Sequence, residues 1–477
     1  MRHKIRIKNR IRKALSAGSK RGSYAILATI LFSSMMILAA AAVHAAGEDA
    51  IASTTDSFGP LWGRSILAEY DTNLKDRYGI FAYSGNKLQV EEKIKKYVKY
   101  SFGDKKYITV GACNCELTGY ELVDSDNFFQ QIKEAVAYDA KPTLDEGLLA
   151  AVQSVNSGGA GSSDSSDSGS SSASDSSNRY IKNEAIINAL PSGGEAKGIE
   201  ISGLTEKVKE AKSLSDIIDD SAETVYIFRF FKDYVNDRDL GETYFNNEIE
   251  YIITGKLNDS KSKKAVKNYL TVLRNALNLA YLYSCEEKRE AVLAVAEVLM
   301  PEAPVVTQAI IMESWAFWEA TNDVKLLYAG EYVPLVKKDE NWATSLENML
   351  AAEYGCDASG NELGGGGSSG LGAAASAADS GSSGGAGSGS ISSSRKSRGY
   401  ILPQKVEGQA YEDYLKIFVA ALPKETKKVR ILDLIQINMK YLYCDYFLID
   451  DYYTGLSYSI EINGGKHEFE ERYSESD

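Results

Sequence analysis

Residues 24–46, YAILATILFSSMMILAAAAVHAA, form an uncharged and mostly apolar stretch near the start of the 477-residue chain. As an α-helix this stretch would be roughly 35 Å long at about 1.5 Å per residue, enough to cross a hydrocarbon core of about 30 Å. The preceding leader, residues 1–23, contains nine Lys or Arg and no acidic residue. Positive charge beside a span is retained on the cytoplasmic side. We therefore predict a basic cytoplasmic leader at 1–23, a transmembrane helix or signal anchor at 24–46 and an extracytoplasmic remainder.

The alternative to a membrane anchor is a cleaved signal peptide. Small residues around Val43 and Ala45 suit a signal peptidase site, and cleavage near Ala46 would release a secreted protein. The apolar cores of signal peptides usually run about 7 to 15 residues. The longer stretch favours a retained single-pass anchor in the cell membrane, and the secreted form remains the second hypothesis.

The charge of the remainder limits the class of partner. The whole chain has a net charge of −13 and the leader contributes +9, so residues 22–477 carry −22. Nucleic acid phosphates would repel such an acidic protein. We therefore predict protein or cation partners, with no nucleic acid and no small-molecule cofactor evident. A composition that is 44% hydrophobic and 10% aromatic is typical of a folded chain.

Two low-complexity segments divide the remainder. Residues 156–178 are rich in Ser, Gly and Asp, and residues 357–397 in Gly, Ser and Ala. Both lack the apolar groups needed to offset ordering entropy, so we predict disordered linkers. They separate a membrane-proximal α+β domain at 47–155, a helical domain at 179–356 and a C-terminal helical segment with a terminal strand at 398–477. We expect this last segment to pack on 179–356; whether the linkers are tethers or loops within one domain stays open.

Hydrophobic periodicity predicts an α+β fold that is mostly helical. Apolar residues three and four apart indicate helices, and alternating apolar residues indicate strands. The predicted helices are 66–81, which continues the membrane helix after a short break, 88–100, 128–137, 222–235, 261–282, 287–299, 305–320, 410–421 and 424–446. The predicted strands are 107–115, 116–123, 328–336 and 455–463.

The five cysteines predict no disulfide framework. Cys113 and Cys115 would face the same side of the strand at 107–115, as small strand residues or reactive thiols. A metal site there would need further Cys or His at short spacing, and none lies nearby. The pairing of Cys285, Cys356 and Cys444 cannot be deduced from the sequence.

Acidic residues before residue 128 suggest a third, weaker hypothesis, a cation-dependent adhesin. Asp124 and Asp126 precede Asn127, as oxygen ligands of a calcium site would. The glycine and the distal glutamate of a complete calcium loop are missing. No metal ligand is therefore predicted.

The search for catalytic groups finds only carboxylates. The histidines His3, His44 and His467 form no Ser-His-Asp or Cys-His pattern. Glu248 and Glu250 flank Ile249, and Asp450 and Asp451 lie in a tyrosine-rich run. Paired acids beside aromatic residues are typical of glycosidases, although a solvated acidic face explains most such pairs.

Two tryptophans lie on the predicted helix at 305–320. Trp315 and Trp318 could line a binding groove. Their helical spacing favours burial in the core between packed helices.

Several segments, taken in order, resemble an uncharacterised clostridial family of membrane-anchored proteins. They are SILAEYDTNLKDRYGIF at 65–81, FNNEIEYIITGK at 245–256, ESWAFWEATNDVKLLYAGEYVPLVK at 313–337, and YEDYLKIF with ILDLIQINMK between 411 and 440. This family is similar to the minor pilins of tight-adherence (Tad, also called Flp) pilus systems. The resemblance implies one N-terminal hydrophobic helix, a variable outer domain and envelope or pilus-assembly proteins as partners.

One position departs from the pilin pattern. Lys20-Arg21-Gly22 resembles the basic-glycine junction that precedes a pilin helix, where a glutamate is expected five residues beyond the glycine. That position is Leu27. A minor, non-polymerising component therefore fits the sequence better than a polymerising subunit.

The sequence thus predicts a non-enzymatic single-pass envelope protein. It would be a minor pilin-like or accessory component of a Tad/Flp-type pilus or secretion apparatus and would act through protein–protein contacts. The alternative is a secreted carboxylate-based glycan hydrolase or a surface adhesin. No catalytic, cofactor-binding or metal-binding residue is predicted.

Overall fold

A computed structural model describes residues 2–140, 179–355 and 408–473, except 104, 106, 195–197, 200, 212–216, 219–220 and 237–239. The predicted linkers at 156–178 and 357–397, together with Cys356, lie outside the described residues. Their predicted disorder therefore stays a prediction, as does the choice between tethers and loops.

The described chain is mostly helical with a few short strands, which confirms the predicted α+β class. The helices are α1 (Arg2–Leu67), α2 (Thr72–Tyr78), α3 (Lys87–Phe102), α4 (Ser125–Ala140), α5 (Glu184–Asn188), α6 (Ile201–Glu210), α7 (Ala222–Phe230), α8 (Glu248–Thr254), α9 (Asp259–Ser284), α10 (Glu286–Leu299), α11 (Pro304–Tyr328), α12 (Leu346–Glu353), α13 (Tyr411–Ala420) and α14 (Lys424–Leu442). The strands are β1 (Tyr83–Ser84), β2 (Val110–Glu116), β3 (Tyr452–Tyr453), β4 (Gly455–Ile462) and β5 (Gly465–Arg472).

The chain forms two compact units whose limits differ from the domains predicted at 47–155, 179–356 and 398–477. The first unit comprises Met1–Asp71, Phe81–Leu122 and Asp451–Asp477, and the second comprises Thr72–Ile80 and Val123–Asp450. Within the segment 398–477, α13 and α14 both contact α8, and β4 pairs with β2 in the first unit. The predicted division into domains stays a prediction.

Helix α1 runs without a break from the apolar stretch into the first unit. Residues 24–50 are exposed on every side, and an 18-residue window of Tyr24–Leu67 has a mean hydropathy of 2.4. By length and composition α1 is compatible with a membrane anchor or a signal sequence. Beyond residue 50, buried residues recur at helical spacing, from Thr55 and Gly59 to Trp62 and Ile66. The predicted break after residue 46 and the single helix at 66–81 are therefore wrong: α1 ends at Leu67, and α2 follows after a turn.

The first unit is built on an antiparallel sheet in the order β2-β4-β5. The buried face of α1 packs on β5 and β4, and α3 packs on β2 and on α1. Gly59 allows the closest approach, since a Cβ there would lie 2.1 Å from Cζ of Phe469. Cys113 and Cys115 are both buried in the shared core, which confirms that they face the same side of β2.

The second unit is a helical assembly around α14. Nearly every residue of α14 from Lys427 to Met439 is buried, with Val429 partly exposed. A helix buried on all sides belongs in the middle of a fold rather than on its surface, and α14 contacts α2, α4 and α8. A further core of this unit packs α9, α10, α11 and α12 around Trp315.

Two predicted strands are wrong. In place of the strand at 116–123, a turn follows β2 through Gly119, and Glu121 forms only an isolated bridge with Tyr453. In place of the strand at 328–336, α11 extends to Tyr328, and Val333 forms an isolated bridge with Gln409.

Candidate functional site

Four polar side chains in the middle of α14, those of Arg430, Asp433, Gln436 and Asn438, are buried and hydrogen-bonded. The Arg430 guanidinium donates to the carbonyls of Ile252 (2.6 Å) and Ile253 (3.0 Å), at the C-terminal end of α8. Asp433 accepts a hydrogen bond from the Tyr251 hydroxyl at 2.6 Å. A cation at a helix C-terminus interacts favourably with the helix dipole. The polar face of α14 therefore holds the short, fully buried helix α8 in place.

Glu248, at the start of α8, is fully buried and hydrogen-bonded. Its carboxylate accepts from the Asn438 side-chain amide at 2.6 Å and from the Lys232 backbone amide at 3.0 Å. Burial raises the pKa of Glu248 to about 7. A polymer substrate has no access to this carboxylate in the structure.

Glu250, two residues after Glu248 in the sequence, is also fully buried. Its Oε1 accepts from the Tyr411 hydroxyl at 2.7 Å and from the Tyr234 backbone amide at 3.0 Å. Its Oε2 is buried and has no hydrogen-bond partner among the residues that the structure describes, and burial raises the pKa of Glu250 to about 7. The interpretation of Glu248 and Glu250 as a solvated acidic face is therefore wrong, because both carboxyls belong to the core.

The other predicted acids are at the surface. Asp450 and Asp451 are exposed, and the tyrosine-rich run around them is mixed: Tyr443 and Tyr446 are exposed and Tyr452 is buried.

A second buried polar cluster joins α9, α11 and the segment after α11. Arg274 pairs with Asp323 at 3.0 Å, and Lys337 pairs with both Glu319 and Asp323. Glu319 also accepts from two backbone amides, those of Ala343 and Thr344. Two cations and two carboxylates balance in this cluster, so the ions can be buried together. The arrangement fixes the segment after α11 rather than opening a reactive site.

The tryptophan prediction is confirmed for Trp315. Its side chain is 5% exposed, meets the Trp342 ring edge-to-face at 5.5 Å and donates to the Thr344 hydroxyl at 3.0 Å. Trp318 is half-buried and packs against the same core. Neither residue lines an open groove in the described structure.

The cysteines and the first acidic cluster show no metal-binding arrangement among the described residues, where no group of three or more potential ligands occurs. Burial raises the pKa of Cys113 to about 11 and that of Cys115 to about 12, which makes both thiols unreactive. Asp124 accepts from the backbone amide of Asp126 at 3.0 Å, at the start of α4. A helix-capping role thus accounts for Asp124.

One surface of the second unit combines cations with exposed tyrosines, and we call it the cation–tyrosine surface. It is defined by Arg77, Arg179, Tyr180, Lys182, Lys261 and Tyr441. Tyr180 and Tyr441 are 42% and 46% exposed. Within the described parts of the chain, none of the four cations has a carboxylate at salt-bridge distance.

Contacts join these residues into one continuous surface. The Arg179 guanidinium lies 5.3 Å from the centre of the Tyr441 ring, and that ring meets Tyr244 edge-to-face at 5.4 Å. The Tyr244 hydroxyl donates to the Tyr180 carbonyl at 3.4 Å. The ammonium groups of Lys182 and Lys261 lie 5.4 Å and 5.8 Å from the centre of the Tyr180 ring.

Arg77 joins the same surface through Glu242. Its guanidinium donates to the Glu242 carbonyl, and the Glu242 carboxylate accepts from the Tyr441 hydroxyl at 3.0 Å. No local sequence pattern predicts this surface, since its cations come from segments far apart in the chain. Of its members, only Tyr441 belonged to the tyrosine-rich run.

Comparison with protein families places most of the second unit in a known group. A family of unknown function, DUF5702, matches residues 163–372 and 386–464, more than half of the chain. The chain belongs to this family. The DUF5702 match includes α8 and α14, and it excludes α1 and all of β5. Comparison with curated proteins and with solved structures found no match.

Proposed function

We propose that this DUF5702 protein is a non-enzymatic, single-pass envelope protein that acts through protein–protein contacts. It would be a minor pilin-like or accessory component of a Tad/Flp-type pilus or secretion apparatus. The alternative remains a secreted glycan hydrolase or adhesin. The observation that supports the proposal best is the form of α1.

Helix α1 has the two parts that an anchor of this kind requires. The exposed residues 24–50 extend roughly 40 Å at about 1.5 Å per residue, which is longer than a hydrocarbon core of about 30 Å. The first acidic residues, Glu48 and Asp49, follow the apolar stretch directly. The same helix then packs on the sheet of the first unit. A continuous helix would hold that unit close to the membrane surface, as the resemblance to minor pilins implies.

The chemistry of the second unit also supports a binding role. Its buried acids are engaged in internal hydrogen bonds, and its cation–tyrosine surface is accessible. Tyrosine and arginine are enriched among residues that dominate binding energy at protein interfaces.

The first test is the mature N-terminus. We expect intact mass and N-terminal sequencing of the protein from its native membrane fraction to show residues 24–46 retained, uncut or trimmed after Gly22. A mature start near Ala46 would contradict the anchor and favour the secreted alternative.

The second test is the identity of the neighbours in the cell. A photo-crosslinking amino acid in place of Tyr180, in the native host, should capture envelope or pilus-assembly proteins. The matched control places the same crosslinker at Val298, which is 56% exposed on α10. Equal capture at both positions, or capture of no envelope protein at either, would count against the proposal.

The hydrolase alternative has its own test. The purified protein should leave isolated envelope glycans unchanged. Turnover that is lost in Asp450→Ala would overturn the non-enzymatic assignment, since Asp450 is the exposed member of the predicted acids in the second unit.

A further inference from the structure

We infer that the cation–tyrosine surface binds a carboxylate-rich segment of a partner protein. The inference rests on the proposed function as a protein that acts through protein contacts. It adds the chemistry of the partner and the place where it binds.

The two arginines donate their hydrogen bonds to neutral groups, and the nearby carboxylates, Glu248 for Arg77 and Asp259 for Arg179, lie beyond salt-bridge distance. Arg179 donates to the backbone carbonyls of Thr243 and Tyr244, the second at 3.0 Å. Arg77 donates to the Tyr78 hydroxyl at 3.1 Å and to the Glu242 carbonyl. Carbonyls and hydroxyls orient a guanidinium without cancelling its charge. Each arginine therefore presents a preorganised positive charge, and a carboxylate is the group that its planar fork matches best.

The two lysines share one aromatic ring. Both ammonium groups lie within 6 Å of the Tyr180 ring centre, at 5.4 and 5.8 Å, and both side chains are exposed. The two ammonium groups are therefore at most about 11 Å apart, close to the Debye length of about 10 Å at 0.1 M salt. An anion bound beside the ring would relieve their repulsion, which favours an acidic ligand over a neutral one.

The tyrosines provide rigid apolar contacts between these charges. The Tyr441 ring is held by Arg179 on its face, by Tyr244 at its edge and by the hydrogen bond of its hydroxyl to Glu242. A side chain fixed in this way loses little conformational entropy on binding. The aliphatic parts of a peptide can pack on such rings, so the surface suits a polypeptide better than a bare inorganic anion.

Charge complementarity favours a partner segment with a negative charge. Residues 22–477 carry a net charge of −22, so an acidic partner is repelled by most of the molecule. The four cations of this surface offer such a partner a favourable place to bind. The four positive charges outnumber the three nearby carboxylates, those of Glu242, Glu248 and Asp259, so the surface stays cationic. Opposite charge at one site and like charge elsewhere fix both the position and the orientation of the partner.

The test uses the full chain in detergent micelles and a fluorescent peptide of alternating Glu and Gly as the probe. Fluorescence anisotropy should show binding that weakens as salt is raised. The double variant Lys182→Glu with Lys261→Glu should weaken binding by about tenfold or more. The side chains of these lysines make only ring contacts among the described residues. The circular dichroism spectrum of the double variant should therefore match that of the wild type.

The matched control is Lys95→Glu with Lys96→Glu, two exposed lysines on α3 in the first unit, and it should bind the probe as the wild type does. Equal weakening in both double variants, no binding of the acidic peptide, or binding of inorganic polyphosphate or a neutral oligosaccharide in its place would overturn the inference. The proposed function is tested separately by the mature N-terminus and by the captured neighbours. An anchored protein that captures pilus-assembly proteins yet ignores the acidic peptide would refute this inference alone.

Discussion

The side-chain amide of Asn438 donates a hydrogen bond of 2.6 Å to the carboxylate of Glu248, and both side chains are buried in the second unit. Asn438 also accepts from the Tyr244 backbone amide at 2.8 Å. Asn438→Ala would leave a buried carboxylate and a backbone donor short of a partner. We expect it to lower the free energy of unfolding by about 2 to 4 kcal/mol, measured by urea unfolding of the full chain.

The control for that variant is Asn348→Ala on the exposed face of α12. It should change the free energy of unfolding by no more than about 0.5 kcal/mol. Equal losses in the two variants would mean that the hydrogen bond to Glu248 contributes nothing specific.

Glu250 makes stability depend on pH. Burial raises the pKa of this carboxyl from its ordinary value of 4.5 to about 7. Between these two values the folded protein keeps a proton that the unfolded chain has released, so the free energy of unfolding falls as pH rises. Above about pH 7 the loss in the free energy of unfolding is constant, at about 3 kcal/mol.

Glu250→Gln should remove that dependence. A glutamine at this position can keep the acceptor oxygen for Tyr411 and Tyr234, and it resembles the protonated acid in charge and shape. As pH rises from 4.5 to 7, we expect the free energy of unfolding of the variant to increase by about 3 kcal/mol relative to that of the wild type. Urea unfolding across this range measures the gain, and a difference that stays constant with pH would refute the prediction.

Two glycines of α1 should respond in opposite ways to the same change. Gly59→Ala places a Cβ 2.1 Å from Cζ of Phe469, so the ring must move, at a cost of about 1 to 3 kcal/mol. A Cβ at residue 47 would meet nothing within 4 Å, so Gly47→Ala should raise the stability of the helix by about 0.5 to 1 kcal/mol through helix propensity. Hydrogen exchange of peptides from β5 and α1 measures the change in stability in each of the two variants.

Phe469→Ala provides the check on the cause. If the clash is with the ring, Gly59→Ala should cost almost nothing further in a chain that already carries Phe469→Ala. Full additivity of the two changes would show that the cost arises elsewhere.

The cysteines should differ in reactivity. Cys444 is exposed, whereas Cys113 and Cys115 are buried with raised pKa values. Iodoacetamide should therefore label Cys444 in the folded protein and should label Cys113 and Cys115 only after unfolding. Peptide mass spectrometry measures the labelling, and rapid modification of Cys115 under native conditions would contradict its burial.

Helical periodicity was enough to find the long helices. The predicted helix at 261–282 corresponds to α9 (Asp259–Ser284), and the one at 287–299 to α10 (Glu286–Leu299), because both keep one apolar face along their length. Fully buried α8 shows no such face and was missed. Its two glutamates instead suggested a surface location, and only the dense apolar run Tyr251–Ile253 pointed the other way.

Strand β5 was missed for the opposite reason. Its sequence contains His467, Glu468, Glu470 and Glu471, and its side chains are half-buried at most, so the apolar alternation that marks a strand is almost absent. The strand exists because its backbone pairs with β4 along eight residues. Long-range pairing of this kind leaves no trace in a local window of sequence, and neither does the meeting of Arg179 with Tyr441.

The division of the first unit between distant segments sets the order of events during biosynthesis. Strand β2 lies near residue 110, and its partner β4 begins at residue 455, so the sheet cannot close until nearly all of the chain has been made. If the chain is exported through a translocon as it is synthesised, the second unit has its residues available first. The first unit then completes its fold last, when β4 and β5 emerge. A stalled or truncated chain would leave β2 and the packing face of α1 uncovered, as a target for quality-control proteases.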